Sequence, residues 1–375
     1  MQEKYAVIFP LDLQNPFQNP TEEPEYSPDY RELLPEQDDD KPCRMLPLIP
    51  TTAERNNIRK MFSLTFLSML FAFFTTATVH TALTLGLPLL LRIIDMQREG
   101  SLPQNYTQIV SQYFTDSSIS SAITLLSFFI GNLSGFWVGC RLTRLSLRDF
   151  FKTRRLTAPR MILYFVIGLW IQLLASEAGD HLVRLVPWIA KAFPETTTLR
   201  VDGSGMRLAV TLVYACLIAP VTEELLFRGM LLKNASRVGQ RFGIFLSAFL
   251  FALLHGTPTQ FLFTFPFGIL LGYITIRHNS LTPAIFVHII VNGMAMLSVV
   301  GKSMLTASTF RTVHMIYMLS VIAIGSVAFL YLALTERLPD RTPHQGFRCL
   351  RIAVTSPLFW ALICAQLVSL LYPLV

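Results

Sequence analysis

The feature that most constrains this chain is a succession of apolar stretches, each close to the length of a membrane-spanning helix. A helix needs about 20 apolar residues to cross the hydrocarbon core of a bilayer. Nine stretches approach or exceed that length, at residues 61–91, 119–140, 161–183, 207–232, 242–256, 260–277, 281–300, 313–334 and 354–374. A helix satisfies all its backbone hydrogen bonds internally, which lipid requires. The sequence therefore predicts an all-α, polytopic transmembrane bundle of eight or nine spans.

Some of these stretches carry further local predictions. The first is too long for one straight span, so we expect it to tilt, break or continue along the membrane interface. The fifth is short, and we expect protein to cover part of it. Residues 186–193 are predicted to form an interfacial helix. Two rows of glycines, Gly131/Gly135/Gly139 and Gly268/Gly272, allow close helix contact and favour internal packing.

The composition agrees with a membrane protein, because only 15% of the residues are charged, against about 25% in soluble domains. Residues 1–60 hold seven Lys or Arg, twelve Asp or Glu and nine of the 22 prolines. This segment is predicted to be an acidic, Pro-rich, disordered cytosolic tail, and residues 61–375 the transmembrane domain. The basic surplus lies in the membrane part, where it reflects topology, so no nucleic-acid partner is expected.

Basic residues in short loops predict the orientation, because Lys and Arg prefer the cytosolic side. The loop 141–160 is the richest in them, with Arg141, Arg144, Arg148, Lys152, Arg154, Arg155 and Arg160. Placing this loop in the cytosol puts the N-terminus there too and, with nine spans, the C-terminus outside. Glu177, Asp180 and His181 then lie near the outer membrane edge and are expected to be solvated.

Two adjacent glutamates, Glu223 and Glu224, stand inside the predicted span 207–232. Charges within the bilayer are costly and indicate function. Glu224 and Arg228 are four residues apart and can pair on one helix face. Glu223 points about 100° away from Glu224, and Phe227 stands at its own i+4 position, so its carboxylate is left for proton transfer. Pro220 is expected to kink the helix and open its backbone nearby.

Two histidines and an asparagine add to this pair. His255 ends the fifth stretch, and His288 and Asn292 share one face of the span 281–300. The rise of about 1.5 Å per residue puts these groups and Glu223 at similar depths. We therefore expect them to converge on one water-filled cavity inside the membrane.

Two kinds of chemistry fit these residues. Glu223 and His255 could hold and activate a water for amide hydrolysis, while His288 and Asn292 donate hydrogen bonds to the oxyanion. Alternatively, Glu223, His255 and His288 could bind zinc, since two His and a carboxylate form a known catalytic set. The helical zinc motif HExxH is absent from the sequence, and the metal-independent version is slightly favoured.

These residues resemble a known family. Glu223-Glu224-Leu225-Leu226-Phe227-Arg228 is similar to the EExxxR motif of the CAAX protease and bacteriocin-processing (CPBP, or Abi) family. Phe251 to His255 resembles its FxxxH motif, and His288 to Asn292 its HxxxN motif. The resemblance covers about residues 205–300, the predicted catalytic core, and includes type II CAAX prenyl proteases.

The resemblance implies a role for each motif residue. Glu223 would be the catalytic glutamate acting with His255, and His288 and Asn292 would form the oxyanion hole. Glu224, Arg228 and Phe251 would support the site.

The resulting prediction is an intramembrane endopeptidase that cleaves a hydrophobic or lipidated peptide, of CAAX, bacteriocin or leader type. Its expected partners are membrane lipid and that peptide, and its expected location is a bacterial plasma membrane. Two alternatives stay open from the residues alone. One is a non-catalytic immunity or scaffold protein that keeps the polar cluster for packing; the other is a proton-coupled transporter.

Overall fold

A computed structural model describes residues 52–100, 106, 108, 118–147, 150–151, 156–186, 188, 205–336 and 346–371. Regular structure in these residues is helical throughout, as the apolar stretches predict. The helices are α1 (Thr52–Glu99), α2 (Ser118–Leu142), α3 (Ala158–Leu185), α4 (205–236), α5 (Gln240–Leu254), α6 (Pro258–His278), α7 (Thr282–Met304), α8 (Ala307–Thr335), α9 (Gly346–Val354) and α10 (Pro357–Leu371).

Each of the nine predicted stretches coincides with a helix. Seven helices, α1 to α4 and α6 to α8, are long and apolar enough to cross a membrane. The other two, α5 and α10, are shorter apolar helices of 15 residues each. The last predicted span is preceded by the separate helix α9, whose Ile352 and Ala353 are buried in the core.

Helix α1 is a single unbroken helix of 48 residues with Pro88 inside it. At about 1.5 Å per residue it measures roughly 72 Å, more than twice the thickness of a hydrocarbon core. It begins at Thr52, so the end of the predicted tail is helical, because Ile58, Met61 and Phe62 turn one face into the core. Residues 1–51 and most of the predicted interfacial helix 186–193 lie outside the described residues.

The glycine rows pack inside the molecule, as predicted. A Cβ atom at Gly135 would come within 2.5 Å of Ala72 in α1, and one at Gly139 within 2.5 Å of Met230 in α4. Gly268 and Gly272 of α6 lie against Ala248 and Ile244 of α5. A Cβ atom at Gly135 would also meet the backbone of α1, whereas at Gly268 and Gly272 the neighbours, at 3.1 and 3.2 Å, would have to shift only slightly.

Contacts between loops divide the bundle into two ends. At one end, the Leu281 amide donates to the Phe150 carbonyl, and the Arg59 side chain to the Thr355 carbonyl. Glu336 at the end of α8 also binds Arg160 and Arg277 there, at 3.2 and 2.8 Å. The loop 141–160, which is rich in Arg and predicted to be cytosolic, lies at this end, so we call it the basic end. At the opposite end, α3 passes the start of α6, where a Cβ atom at Gly179 would lie 3.4 Å from Thr259.

Candidate active site

Helix α4 carries the glutamate pair between two π-helical turns. Residues Tyr214–Ile218 and Leu225–Leu232 adopt the wider π-helix, and Ala219–Glu224 between them is α-helical. Such π-turns are frequent at functional sites because they re-aim side chains within an otherwise regular helix. Pro220 is the second residue of this central α-helical segment, and its missing N–H explains the first π-helical turn.

In the first π-helical turn, one backbone carbonyl accepts its hydrogen bond from a side chain and not from the helix backbone. The Ala219 amide bonds to the Tyr214 carbonyl five residues back. The next donor in that register would be Pro220, which has no N–H, so the Ala215 carbonyl lacks its helical partner. The Asn292 side chain of α7 donates to this carbonyl at 2.9 Å. The predicted opening of the backbone at Pro220 is therefore present, and Asn292 fills it.

The buried ion pair expected between Glu224 and Arg228 is present. Both side chains are 0% exposed, and Arg228 Nη1 lies 2.9 Å from Glu224 Oε1. Arg228 also donates to the Gly268 carbonyl at 3.3 Å, and its guanidinium lies 4.2 Å from the centre of the Phe251 ring. Hydrogen bonds and a cation–π contact thus compensate the buried cation.

Glu223 points into a cavity and its side chain is 17% exposed. His288 of α7 lies between the two glutamates. Its Nδ1 atom is 3.0 Å from Glu224 Oε1, and its Nε2 atom is 3.8 Å from Glu223 Oε2. Glu224 pairs with Arg228, and its carboxylate can only accept hydrogen bonds. The proton of the His288 ring is therefore on Nδ1, while the Nε2 atom faces Glu223.

His255 is held at the junction of α5 and α6. It caps the C-terminus of α5, and the following Gly256 has a φ of +71°, the left-handed conformation that glycine favours at helix ends. His255 Nδ1 lies 2.8 Å from the carbonyl oxygen of Phe251. Because a carbonyl only accepts, Nδ1 donates, which leaves Nε2 of the neutral ring as a proton acceptor.

Phe251 connects the ion pair to both histidines. Its ring centre lies 4.7 Å from that of His255 and 6.0 Å from that of His288. Phe267 of α6, which the sequence did not single out, packs edge-to-face on His288 at 5.4 Å. The two buried aromatic rings fix the imidazole and give the cavity an apolar wall.

One cavity of about 650 Å³ brings the predicted catalytic residues together. Glu223, His255, His288 and Asn292 all line it, together with Phe251. Glu224 and Arg228 lie behind its wall. A further wall of the cavity was not predicted from the sequence. It is formed by α3, which lies outside the predicted core 205–300. Gln172, Ser176 and Asp180 line it at intervals of four residues. The four-residue spacing of these polar residues at the end of an apolar span was the sequence signal that could have predicted this wall.

The zinc alternative has no ready ligand set. Among the described residues, no group of three His, Cys, Asp or Glu side chains is placed to hold a metal ion. His288 and His255 each bond through Nδ1, to Glu224 and to the Phe251 carbonyl, and this leaves Nε2 of each ring available. Such bonds are also those that orient zinc-ligating histidines, so the metal-independent version stays a prediction.

Together, the fold and the site define a polytopic helical membrane protein with a cavity lined by a glutamate and two histidines. Residues 205–294 of the chain match the family model described as Type II CAAX prenyl endopeptidase Rce1-like. This match confirms the resemblance that the three motifs indicate. The matched family model describes a peptidase domain. Comparison with curated proteins and with solved structures gave no match to the chain.

Proposed function

We propose that this protein is an intramembrane endopeptidase that hydrolyses a peptide bond near the C-terminus of a lipidated protein or peptide, as CAAX proteases do. One observation carries the proposal. Glu223, His255, His288 and Asn292, contributed by three separate parts of the matched segment, line a single cavity inside an apolar bundle. Separately buried polar groups would each be costly there, and a shared wet cavity removes that cost.

In the proposed reaction Glu223 acts as the general base. Its carboxylate takes a proton from a water that His255 Nε2 helps to orient, and the resulting hydroxide attacks the carbonyl carbon of the scissile bond. The proton then passes to the leaving amine. Since Glu224 is neutralised by Arg228, Glu223 is the carboxylate of the pair that remains for this step.

His288 and Asn292 would stabilise the oxyanion of the tetrahedral intermediate. Asn292 uses one N–H on Ala215, and its second N–H remains for the oxyanion. His288 can donate from Nε2 when both ring nitrogens are protonated. Donors held in place before the reaction cost no rearrangement when charge develops, which is why such positions accelerate acyl transfer.

The proposed reaction needs no metal. The proposed substrates are hydrophobic or lipidated peptides. A leader or bacteriocin-type peptide is the second substrate to test. We further propose a plasma-membrane location with a cytosolic N-terminus, because the loops that meet at the basic end carry most of the arginines.

The test is cleavage by the purified protein in detergent. A peptide with a prenylated cysteine near its C-terminus and a leader-type peptide are each incubated with the wild type, Glu223→Ala and Glu177→Ala. Glu177 is exposed on α3 and does not line the cavity, so it is the matched control. We expect cleavage by the wild type and Glu177→Ala only. Full activity of a folded Glu223→Ala protein, or no cleavage of either peptide, would refute the proposal.

A further inference from the structure

Helix α3 supplies a polar stripe that forms one wall of the cavity. Gln172, Ser176, Asp180 and Arg184 follow each other at four-residue spacing, and all of them line it. The small residues Ala175 and Gly179 lie beside them and are buried, so that α3 comes close to Thr259 of α6. This wall lies outside the segment 205–294 that matches the family model.

The stripe has the length of a short extended peptide. From Gln172 to Arg184 the helix rises roughly 18 Å. One turn before Gln172, α3 passes α7 at the level of His288, because a Cβ atom at Gly168 would lie 2.9 Å from Val291 and 3.5 Å from Val287. The stripe thus runs from the reacting groups to the bundle end opposite the basic end. The three residues that follow the lipidated cysteine of a CAAX sequence extend about 10 Å, leaving a gap that the long Arg184 side chain can bridge.

The charges along this path are unequal. Arg184 is the one Lys or Arg among the described residues that line the cavity. Asp180 is one helical turn away, yet no ion pair joins the two within the described part of the chain. Glu223 at the inner end and Asp180 along the path disfavour a nearby anion, whereas Arg184, beyond Asp180, favours one at the outer end.

We infer that Arg184 binds the C-terminal carboxylate of the substrate, while Gln172 and Ser176 hydrogen-bond the peptide backbone between it and the scissile bond. This inference rests on the proposed function and deepens it. A guanidinium presents paired donors that match a carboxylate. Reading the free carboxylate at a fixed distance from Glu223 would select substrates cut a few residues from their C-terminus.

The experiment compares two prenylated peptides of the same sequence, one with a free C-terminal carboxylate and one with a C-terminal amide. Each is assayed with the wild type, Arg184→Gln, Arg184→Lys and Lys302→Gln. Lys302 is exposed in the last turn of α7 and does not line the cavity, so it controls for loss of a surface charge.

We expect the wild type and Lys302→Gln to prefer the free acid. Arg184→Gln should lower kcat/KM for the acid by about 10- to 100-fold, mostly through KM, and leave the amide within about twofold. Arg184→Lys should retain part of the preference.

Two results would overturn the inference alone. One is equal cleavage of the acid and the amide peptide by the wild type. The other is an equal loss of kcat/KM on both peptides in Arg184→Gln, which would indicate a structural role for Arg184. If the wild type cleaves neither prenylated peptide, this inference fails; if it does not cleave the leader-type peptide either, the proposed function fails with it.

Discussion

His288 donates a hydrogen bond from Nδ1 to Oε1 of Glu224 across 3.0 Å, and this bond joins α7 to α4 in the middle of the bundle. The same Glu224 oxygen accepts from Arg228 at 2.9 Å. Glu224 is therefore a structural centre, whereas its neighbour Glu223 faces open space. The two adjacent carboxylates should respond to mutation in opposite ways.

Glu223→Gln should abolish activity, and Glu224→Gln should lower stability. Loss of a general base costs about 100-fold or more in kcat. Breaking a buried ion pair costs about 3–5 kcal/mol, because the partner charge stays buried without compensation. Thermal unfolding in detergent, together with kcat/KM for a cleaved peptide, measures both. A large loss of stability in Glu223→Gln, with Glu224→Gln unaffected, would contradict this assignment.

Asn292→Ala should destabilise the protein by about 1 kcal/mol, because the Ala215 carbonyl loses its donor. The reason for that open carbonyl is Pro220, so the two sites should be coupled. Pro220→Ala supplies an N–H, and Asn292→Ala should then cost less than in the wild type. A double-mutant cycle on unfolding free energies measures the coupling. Additive effects would show that the missing N–H of Pro220 is not what Asn292 replaces.

Phe251→Ala should cost about 3–5 kcal/mol, because the ring packs on Arg228, His255 and Phe227. Phe245 is the matched control on the same helix, since it is 55% exposed on the outer surface of the bundle. Phe245→Ala should change stability by less than about 0.5 kcal/mol. Equal losses in the two variants would mean that Phe251 has no special place in the site.

Peptidase activity should be unchanged by a strong chelator. The described residues offer no group of three ligands for a metal, and the proposed base and oxyanion donors are side chains. The assay is cleavage before and after dialysis against the chelator, with the metal content of the protein measured alongside. Loss of activity that is restored by added zinc would support the zinc-bound alternative.

The cavity and the basic loops lie at different ends of the bundle, and this gives a topology prediction. If the arginine-rich loops face the cytosol, the Arg184 end of the cavity faces outward. In a chain whose native cysteines are replaced by alanine, Arg144→Cys should be labelled by an impermeant thiol reagent only after permeabilisation. His181→Cys should be labelled in intact cells. The reverse pattern would open the cavity to the cytosol.

The sequence by itself determined the helical class, the positions of the nine apolar stretches and the residues that meet at the site. These follow from local rules. Apolar length selects a membrane helix, four-residue spacing pairs Glu224 with Arg228, and the price of buried charge brings polar groups from separate helices together.

Only the tertiary structure decided how those residues share their hydrogen bonds. His288 lies against Glu224, Asn292 fills the carbonyl that Pro220 leaves open, and α3 closes the cavity with Gln172 and Arg184. Spacing along one helix cannot show these contacts, because they depend on which faces of distant helices meet. Close packing at small residues such as Gly168 and Gly179 sets that arrangement, and it is fixed only when the whole bundle is assembled.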